Sequence, residues 1–155
     1  MISQFETAYN ILEELHVEII KILEEVGQKG MNWVPPIEEV NSMYATANHT
    51  ILSQYWWIQE NLNLVKIERN RPAEFTAQSD GMENLQALYR NVENLTRDIL
   101  ETISEDETQS LRKVNQRQVT VEWVVLHVIE HTALHLGHMQ LIKQLWENEM
   151  KGTST

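Results

Sequence analysis

The segment from Trp123 to Trp146 is the part of the sequence that most restricts the fold. Its apolar residues recur at the three- and four-residue spacing of an α-helix and cover two sides of that helix. The first side carries Val124, Leu134, Leu141, Ile142 and Leu145, and the second carries Val125, Ile129, Leu136 and Met139. A helix with two apolar sides is buried on both. It is therefore expected at the centre of a helical bundle, or with one side against a second subunit.

Three further segments show helical spacing, so the sequence predicts four helices, over residues 2–26, 37–62, 80–103 and 120–149. Gly27 and Gly30 are expected to end the first helix. Ser79 or Asp80 is expected to cap the third helix, and Thr120 the fourth. Two connections, residues 65–78 and residues 104–119, are predicted as loops. The second of them has room for a short helical turn. The sequence thus predicts one all-α domain over residues 1–150, followed by a disordered tail over residues 151–155.

Composition narrows the classes of function. The net charge is −11, from 12 basic and 23 acidic residues, so neither nucleic acid nor a membrane surface is expected as a partner. No apolar run is long enough to cross a membrane, and Glu6 and Glu13 argue against a signal peptide. The chain has no cysteine, which excludes disulfides, thiolate metal sites and cysteine nucleophiles. This composition fits a reducing compartment, and a cytoplasmic location is predicted.

The predicted last helix carries four of the six histidines in the chain, His127, His131, His135 and His138. Because each residue advances by about 100° around a helix, the four side chains fall within an arc of roughly 80°. A single histidine on an apolar face is usually a core residue with a backbone or carboxylate partner. Four in line are harder to explain in that way, because each unpaired buried imidazole would cost roughly 1–3 kcal/mol. The stripe therefore predicts a metal site, and the spacing leaves the pairs 127/131 and 131/135 open.

The other ligands have to be histidine, aspartate, glutamate or water. His16 lies beside Glu13 and Glu14 and is expected at the surface. His49 shares a helical strip with Ala45, Leu52 and Trp56, so it can face inward. Periodicity alone leaves the role of His49 open.

Two motifs resemble those of a known family. Residues 120–138, TVEWVVLHVIEHTALHLGH, resemble the last-helix signature of the DinB/YfiT-like metalloenzymes. Asn48-His49-Thr50, followed by Tyr55-Trp56-Trp57, is similar to the family's second helix. The resemblance implies a four-helix bundle with up-down-down-up connectivity, commonly a homodimer. It also implies a metal site made by His49, His131 and His135, with His127 one turn away in the second shell or the pocket lining.

The sequence departs from the family pattern at two positions. Leu136 stands where relatives often carry arginine, and His138 stands where they usually carry glutamine. Three histidines leave coordination positions open, which is typical of catalytic rather than structural sites. Such a site suits Zn²⁺ or Ni²⁺ first, and also Fe²⁺ or Co²⁺.

Characterised relatives include thiol-dependent S-transferases and an isomerase that uses a low-molecular-weight thiol. The resemblance therefore implies an enzyme that passes such a thiol to a small electrophile. The alternatives are a metal-dependent hydrolase and a non-catalytic protein that binds a metal or a small ligand.

Four more residues are candidates for the surroundings of the metal. Glu130 could accept a hydrogen bond from an imidazole N–H. More often, a glutamate at such a position is an ordinary charged residue on the helix surface. Trp56 and Trp57 are candidates for the pocket wall, with ordinary core packing as the alternative. His138 is a candidate for the pocket mouth.

Overall fold

Four long helices dominate the computed structural model, which describes residues 1–152. The elements in chain order are α1 (Ser3–Asn32), α2 (Met43–Asn61), α3 (Arg71–Glu74), α4 (Glu83–Thr102), β1 (Leu111–Val114), β2 (Arg117–Thr120) and α5 (Val121–Gly152). A 3₁₀ turn, Glu105–Glu107, follows α4. The predicted all-α fold is confirmed, and the up-down-down-up order of the helices stays a prediction.

Helix α5 contributes to both clusters of the apolar core. The first core cluster includes Phe5, Leu12, Ile58, Leu100, Val124 and Val128. The second core cluster includes Ile19, Leu23, Ile51, Tyr89, Leu136 and Met139. Because α1, α2 and α4 also contribute to both clusters, α5 is held along much of its length by apolar contacts.

The histidine side of α5 is less buried than its apolar residues suggest. Val124 and Ile142 at the edge of this side are buried, but Leu134 and Leu141 are each 56% exposed. Leu126, farther round the helix, has the same exposed fraction. The single chain therefore does not bury α5 on both sides, and the expected second subunit stays a prediction.

The connection between α4 and α5 contains a β-hairpin, whereas the sequence predicts a loop there. Strands β1 and β2 are antiparallel, with Leu111 opposite Thr120 and Val114 opposite Arg117. Asn115 makes the turn with a φ of 55°, a conformation that asparagine tolerates better than most residues. The strands have only four residues each, and no Asn-Gly or Asp-Gly pair marks the turn, so the pattern was too short to be distinctive.

Two predicted helix starts were too early. Helix α2 begins at Met43 rather than near residue 37, because the hydroxyl of Ser42 accepts a hydrogen bond from the Ala45 N–H at 3.1 Å. Helix α4 begins at Glu83 without a side-chain cap, so neither Ser79 nor Asp80 caps it; the hydroxyl of Ser79 closes a turn with Gly81 instead. The predicted cap at the start of α5 is confirmed, since the Trp123 N–H donates to Thr120 Oγ1 at 3.1 Å.

His16 was wrongly expected at the surface. His16 is only 1% exposed, and its Nδ1 lies 2.8 Å from Oε1 of Glu93 in α4. Its ring also stands edge-on to Tyr89, with the ring centroids 4.9 Å apart. The sequence around His16 is acidic, but a carboxylate on a neighbouring helix provides the partner that burial requires.

Helices α1 and α5 both extend beyond their predicted carboxyl-terminal ends. Helix α1 does not stop at Gly27 or Gly30: it kinks at Gly27 and continues to Asn32. Helix α5 includes Lys151 and Gly152, which were assigned to the tail, and residues 153–155 lie outside the described part of the chain. Within residues 1–152, no helix combines the length and the apolar character that a bilayer crossing requires.

The kink at Gly27 leads to a stability prediction. Its φ of 62° and ψ of −178° are a conformation that almost only glycine adopts, so Gly27→Ala should lower the free energy of unfolding by about 1–3 kcal/mol. Gly137→Ala is the matched control, because Gly137 lies inside α5 and an added Cβ meets no atom within 4 Å. It should raise the free energy of unfolding by roughly 0.5–1 kcal/mol. Urea unfolding followed by circular dichroism measures both, and equal stability of the two variants would contradict the assigned kink.

Candidate metal centre

Three histidines from two helices meet between α2 and α5. His131 and His135 lie one turn apart on α5, and His49 reaches them from α2. One nitrogen of each ring lies within 4.8 Å of those of the other two. The ring centroids of His49 are 5.2 Å from His131 and 5.1 Å from His135. The structure therefore brings together the three residues that the family resemblance indicated, and of the two open pairs it places 131/135 in this group.

The geometry of this group suits a divalent transition-metal ion. Nε2 of His131 and Nε2 of His135 are 3.2 Å apart. Two imidazole nitrogens that bind one Zn²⁺ ion at 2.0–2.1 Å with a tetrahedral angle lie about 3.3–3.4 Å apart. Three histidines fit Zn²⁺, Ni²⁺, Fe²⁺ or Co²⁺, and they leave positions open for a further ligand.

All three imidazoles are held in the neutral form that metal binding needs. Burial, followed by the charges of neighbouring histidines, lowers the pKa of His131 to about 3. The same causes lower the pKa of His135 to about 4. Burial also lowers the pKa of His49, although the carboxylate of Glu74 opposes this shift. At neutral pH the lone pairs of the group are therefore available without loss of a proton.

Glu74 is a functional candidate that the sequence analysis missed. Glu74 is 3% exposed, and its Oε2 accepts a hydrogen bond from Nδ1 of His49 at 2.7 Å. Arg69 binds the same carboxylate through Nε at 2.6 Å and Nη2 at 2.8 Å. Burial alone would raise the pKa of Glu74, but the hydrogen bonds from Arg69 and His49 bring it below its usual value. Because Nδ1 donates to an ionised carboxylate, Nε2 of His49 keeps its lone pair.

Glu74 and Arg69 could not be identified from spacing. Both lie in the connection that was read as loop, and neither belongs to a motif. The only local signal is Asn70-Arg71-Pro72, which is typical of a helix start. That start becomes α3, capped by the side chain of Asn70, and α3 carries Glu74 toward α2.

His127 lies beside this group but faces a cluster of tryptophans. Its ring stacks on Trp123 and meets Trp57 edge-on, with centroid distances of 4.7 Å in both cases. Its centroid is 6.1 Å from that of His131. Trp56 contacts Trp57 and the guanidinium of Arg69. The aromatic rings therefore fill the side of the group toward the start of α5.

Glu130 is placed away from the three grouped histidines. Its side chain is 77% exposed, and Oε2 lies 3.2 Å from Nδ1 of His127. The buried carboxylate that reaches a grouped histidine is Glu74 instead.

The two positions that depart from the family pattern lie on different sides of α5. His138 is exposed, and its ring centroid is 5.5 Å from that of His135. Both histidines line a cavity of about 270 Å³. Leu136 is 8% exposed and packs in the second core cluster. A ligand at the three histidines can therefore contact His138, whereas Leu136 faces away.

The fold is similar to that of two solved structures. A conserved protein from Enterococcus faecalis has a TM-score of 0.79 and 15% identity, over 94% of this chain and 98% of its own. A DinB-like protein from Bacillus subtilis has a TM-score of 0.67 and 15% identity, over 91% and 92%. None of the curated proteins compared with the chain matches it.

A match to a family extends along nearly the whole chain. The model of the mycothiol S-transferase family matches residues 9–147. Together with the DinB-like fold, this match confirms the family resemblance seen in the last helix. The chain therefore belongs to the mycothiol S-transferase family of DinB-like proteins.

Proposed function

We propose that the protein is a metal-dependent S-transferase that joins a low-molecular-weight thiol to a small electrophile. The observation that carries the proposal is the meeting of His49, His131 and His135, whose candidate ligand atoms lie within 4.8 Å of one another. The family match supports a thiol as the co-substrate. The absence of cysteine agrees with a thiol that comes from outside the chain.

The three histidines would hold the ion, and Glu74 would fix the orientation of His49. A bound divalent ion supplies Lewis acidity, which favours the ionised form of a thiol at neutral pH. In the transfer, the thiol sulfur forms a bond to an acceptor carbon. The bond from that carbon to its leaving group breaks, the leaving group keeps the electron pair, and the thiol proton passes to solvent.

The charges around the group suit an anionic sulfur. The three imidazoles are neutral, and the Glu74 carboxylate is paired with Arg69 at 2.6 Å. Arg71 is close enough to lower the pKa of both His49 and His135, after the larger effect of burial. The whole chain has a net charge of −11. Among the groups named here, however, the one carboxylate is paired with an arginine, so none of them would repel a thiolate.

The positioning role of Glu74 leads to a prediction about metal affinity. Glu74→Gln should weaken Zn²⁺ binding by about 10–100-fold, because the amide no longer offers a charged acceptor for His49 Nδ1. Glu68→Gln is the matched control, since Glu68 is an exposed acid in the same connection. Competition with a chromophoric chelator gives the two affinities, and circular dichroism checks that both variants remain helical. An unchanged affinity in Glu74→Gln would exclude the positioning role.

The proposed reaction predicts a requirement for both metal and thiol. Zinc- or nickel-loaded protein should conjugate a thiol from a panel that includes mycothiol to 1-chloro-2,4-dinitrobenzene, an acceptor whose product absorbs light. Activity should fall at least tenfold after chelation and in His135→Ala, and it should persist in Leu126→Ser, a change on the exposed side of α5.

Two results would contradict the proposed transfer. Turnover of ester substrates without added thiol would indicate the hydrolase alternative. Metal binding without turnover for any thiol in the panel would indicate a non-catalytic binding protein.

A further inference from the structure

The two ends of the three-histidine group have different surroundings. Toward the start of α5, His127 fills the space between Trp57 and Trp123, with both centroid distances at 4.7 Å. Toward the end of α5, His135 lines a cavity of about 270 Å³. An acceptor substrate that reaches the group therefore has free volume on the His135 side.

The walls of this cavity are mainly apolar. They come from the segment before α2, from the residue after α3, and from the second half of α5: Ile37, Val40, Phe75, Leu141, Ile142 and Leu145. Phe75 connects the cavity to the histidines, because the centroid of its ring lies 4.3 Å from that of His49. The apolar surface is thus continuous with the candidate metal centre.

Two walls of the cavity expose large aliphatic side chains to water. Ile37 is 53% exposed and Leu141 is 56% exposed, and they belong to different segments of the chain. Covering such side chains with an apolar ligand is favourable because it removes apolar surface from water. The exposed pair therefore favours an apolar ligand at this position.

The acidic side chain of Glu39 argues against a second acidic group at its end of the cavity. Glu39 contributes to the wall, and its backbone has a φ of 63°. Asn41, Thr46 and His138 supply the remaining polar lining, together with His135. A carboxylate beside Glu39 would meet a like charge, whereas the guanidinium of Arg71 lies 5.0 Å from the centroid of the Phe75 ring, near the histidines. An uncharged group therefore fits the end of the cavity that Glu39 lines.

We propose that the cavity binds an uncharged alkyl or aryl group of the acceptor substrate, and that Leu141 helps to select acceptors by this group. The inference rests on the proposed function, because the reacting carbon has to lie at the three histidines while its substituent lies in the cavity. The volume is adequate, since an engineered cavity of about 150 Å³ takes up benzene. A substituted ring or a medium alkyl chain therefore fits within 270 Å³.

A series of n-alkyl hydroxamates tests this proposal without any turnover. The hydroxamate group binds a metal ion with open positions, and the alkyl chain then extends toward the nearest apolar surface. Calorimetric titration of zinc-loaded protein should give an affinity that rises about three- to fourfold for each added methylene, from acetohydroxamate up to a chain that fills the cavity.

Two exposed leucines of α5 provide the variant and its control. Leu141→Ser removes a cavity wall, whereas Leu126→Ser removes an equally exposed leucine that does not line the cavity. Leu141→Ser should weaken hexanohydroxamate binding at least fivefold and leave acetohydroxamate binding unchanged. Leu126→Ser should change neither affinity.

The outcomes separate this inference from the proposed function. If acetohydroxamate binds but longer chains bind no better, the cavity does not receive the substituent, although the open metal site stands. The same conclusion follows if the preference for longer chains survives unchanged in Leu141→Ser. If no hydroxamate binds to zinc-loaded protein, the open metal site and the inference both fail.

Discussion

The packing of α2 against α5 is the constraint on which the candidate site depends. His131 and His135 share one helix, so their separation follows from a single turn of α5. The third nitrogen has to come from another element, and His49 supplies it only because α2 lies alongside α5 in the core. Ile51 and Met139, both fully buried in the second core cluster, belong to these two helices. Apolar packing thus positions the imidazoles that the proposed chemistry requires.

Burial determines the protonation of the site as well as its geometry. It is the largest cause of the lowered pKa values of His49, His131 and His135. In the free protein, Nε2 of one of His131 and His135 can donate a hydrogen bond to Nε2 of the other at 3.2 Å, whereas a bound cation would accept the lone pairs of both. The Glu74 carboxylate, held by Arg69, adds a negative charge behind His49 rather than among the ligand atoms. This arrangement is typical of carboxylate–histidine–metal sites.

Sequence reasoning recovered the parts of the structure that depend on periodicity. The long helices and the histidine stripe repeat over many turns, so their spacing predicted the fold and part of the group. His49 required the family resemblance, because its helical strip alone allowed several roles. The hairpin at residues 111–120 was missed because its strands are short and lack a strong turn signal.

Residues whose partners come from distant segments were harder to predict. Glu74 was missed, and His16 was placed wrongly, because each pairs with a group on another element: Glu74 with His49, and His16 with Glu93. Such pairs depend on tertiary packing, which local spacing does not encode. The partial exposure of the histidine side of α5 within the single chain was not predicted for the same reason, because periodicity identifies an apolar side of a helix but not what covers it.

X-ray absorption spectroscopy of zinc-loaded protein tests most directly whether the three imidazoles share one ion. We expect one Zn²⁺ per chain with three imidazole nitrogens at about 2.0–2.1 Å. His49→Ala should reduce the count to two imidazoles, and His138→Gln, which removes a histidine next to the group, should keep all three. A wild-type spectrum with two or fewer imidazoles, or one that His49→Ala leaves unchanged, would contradict the shared site.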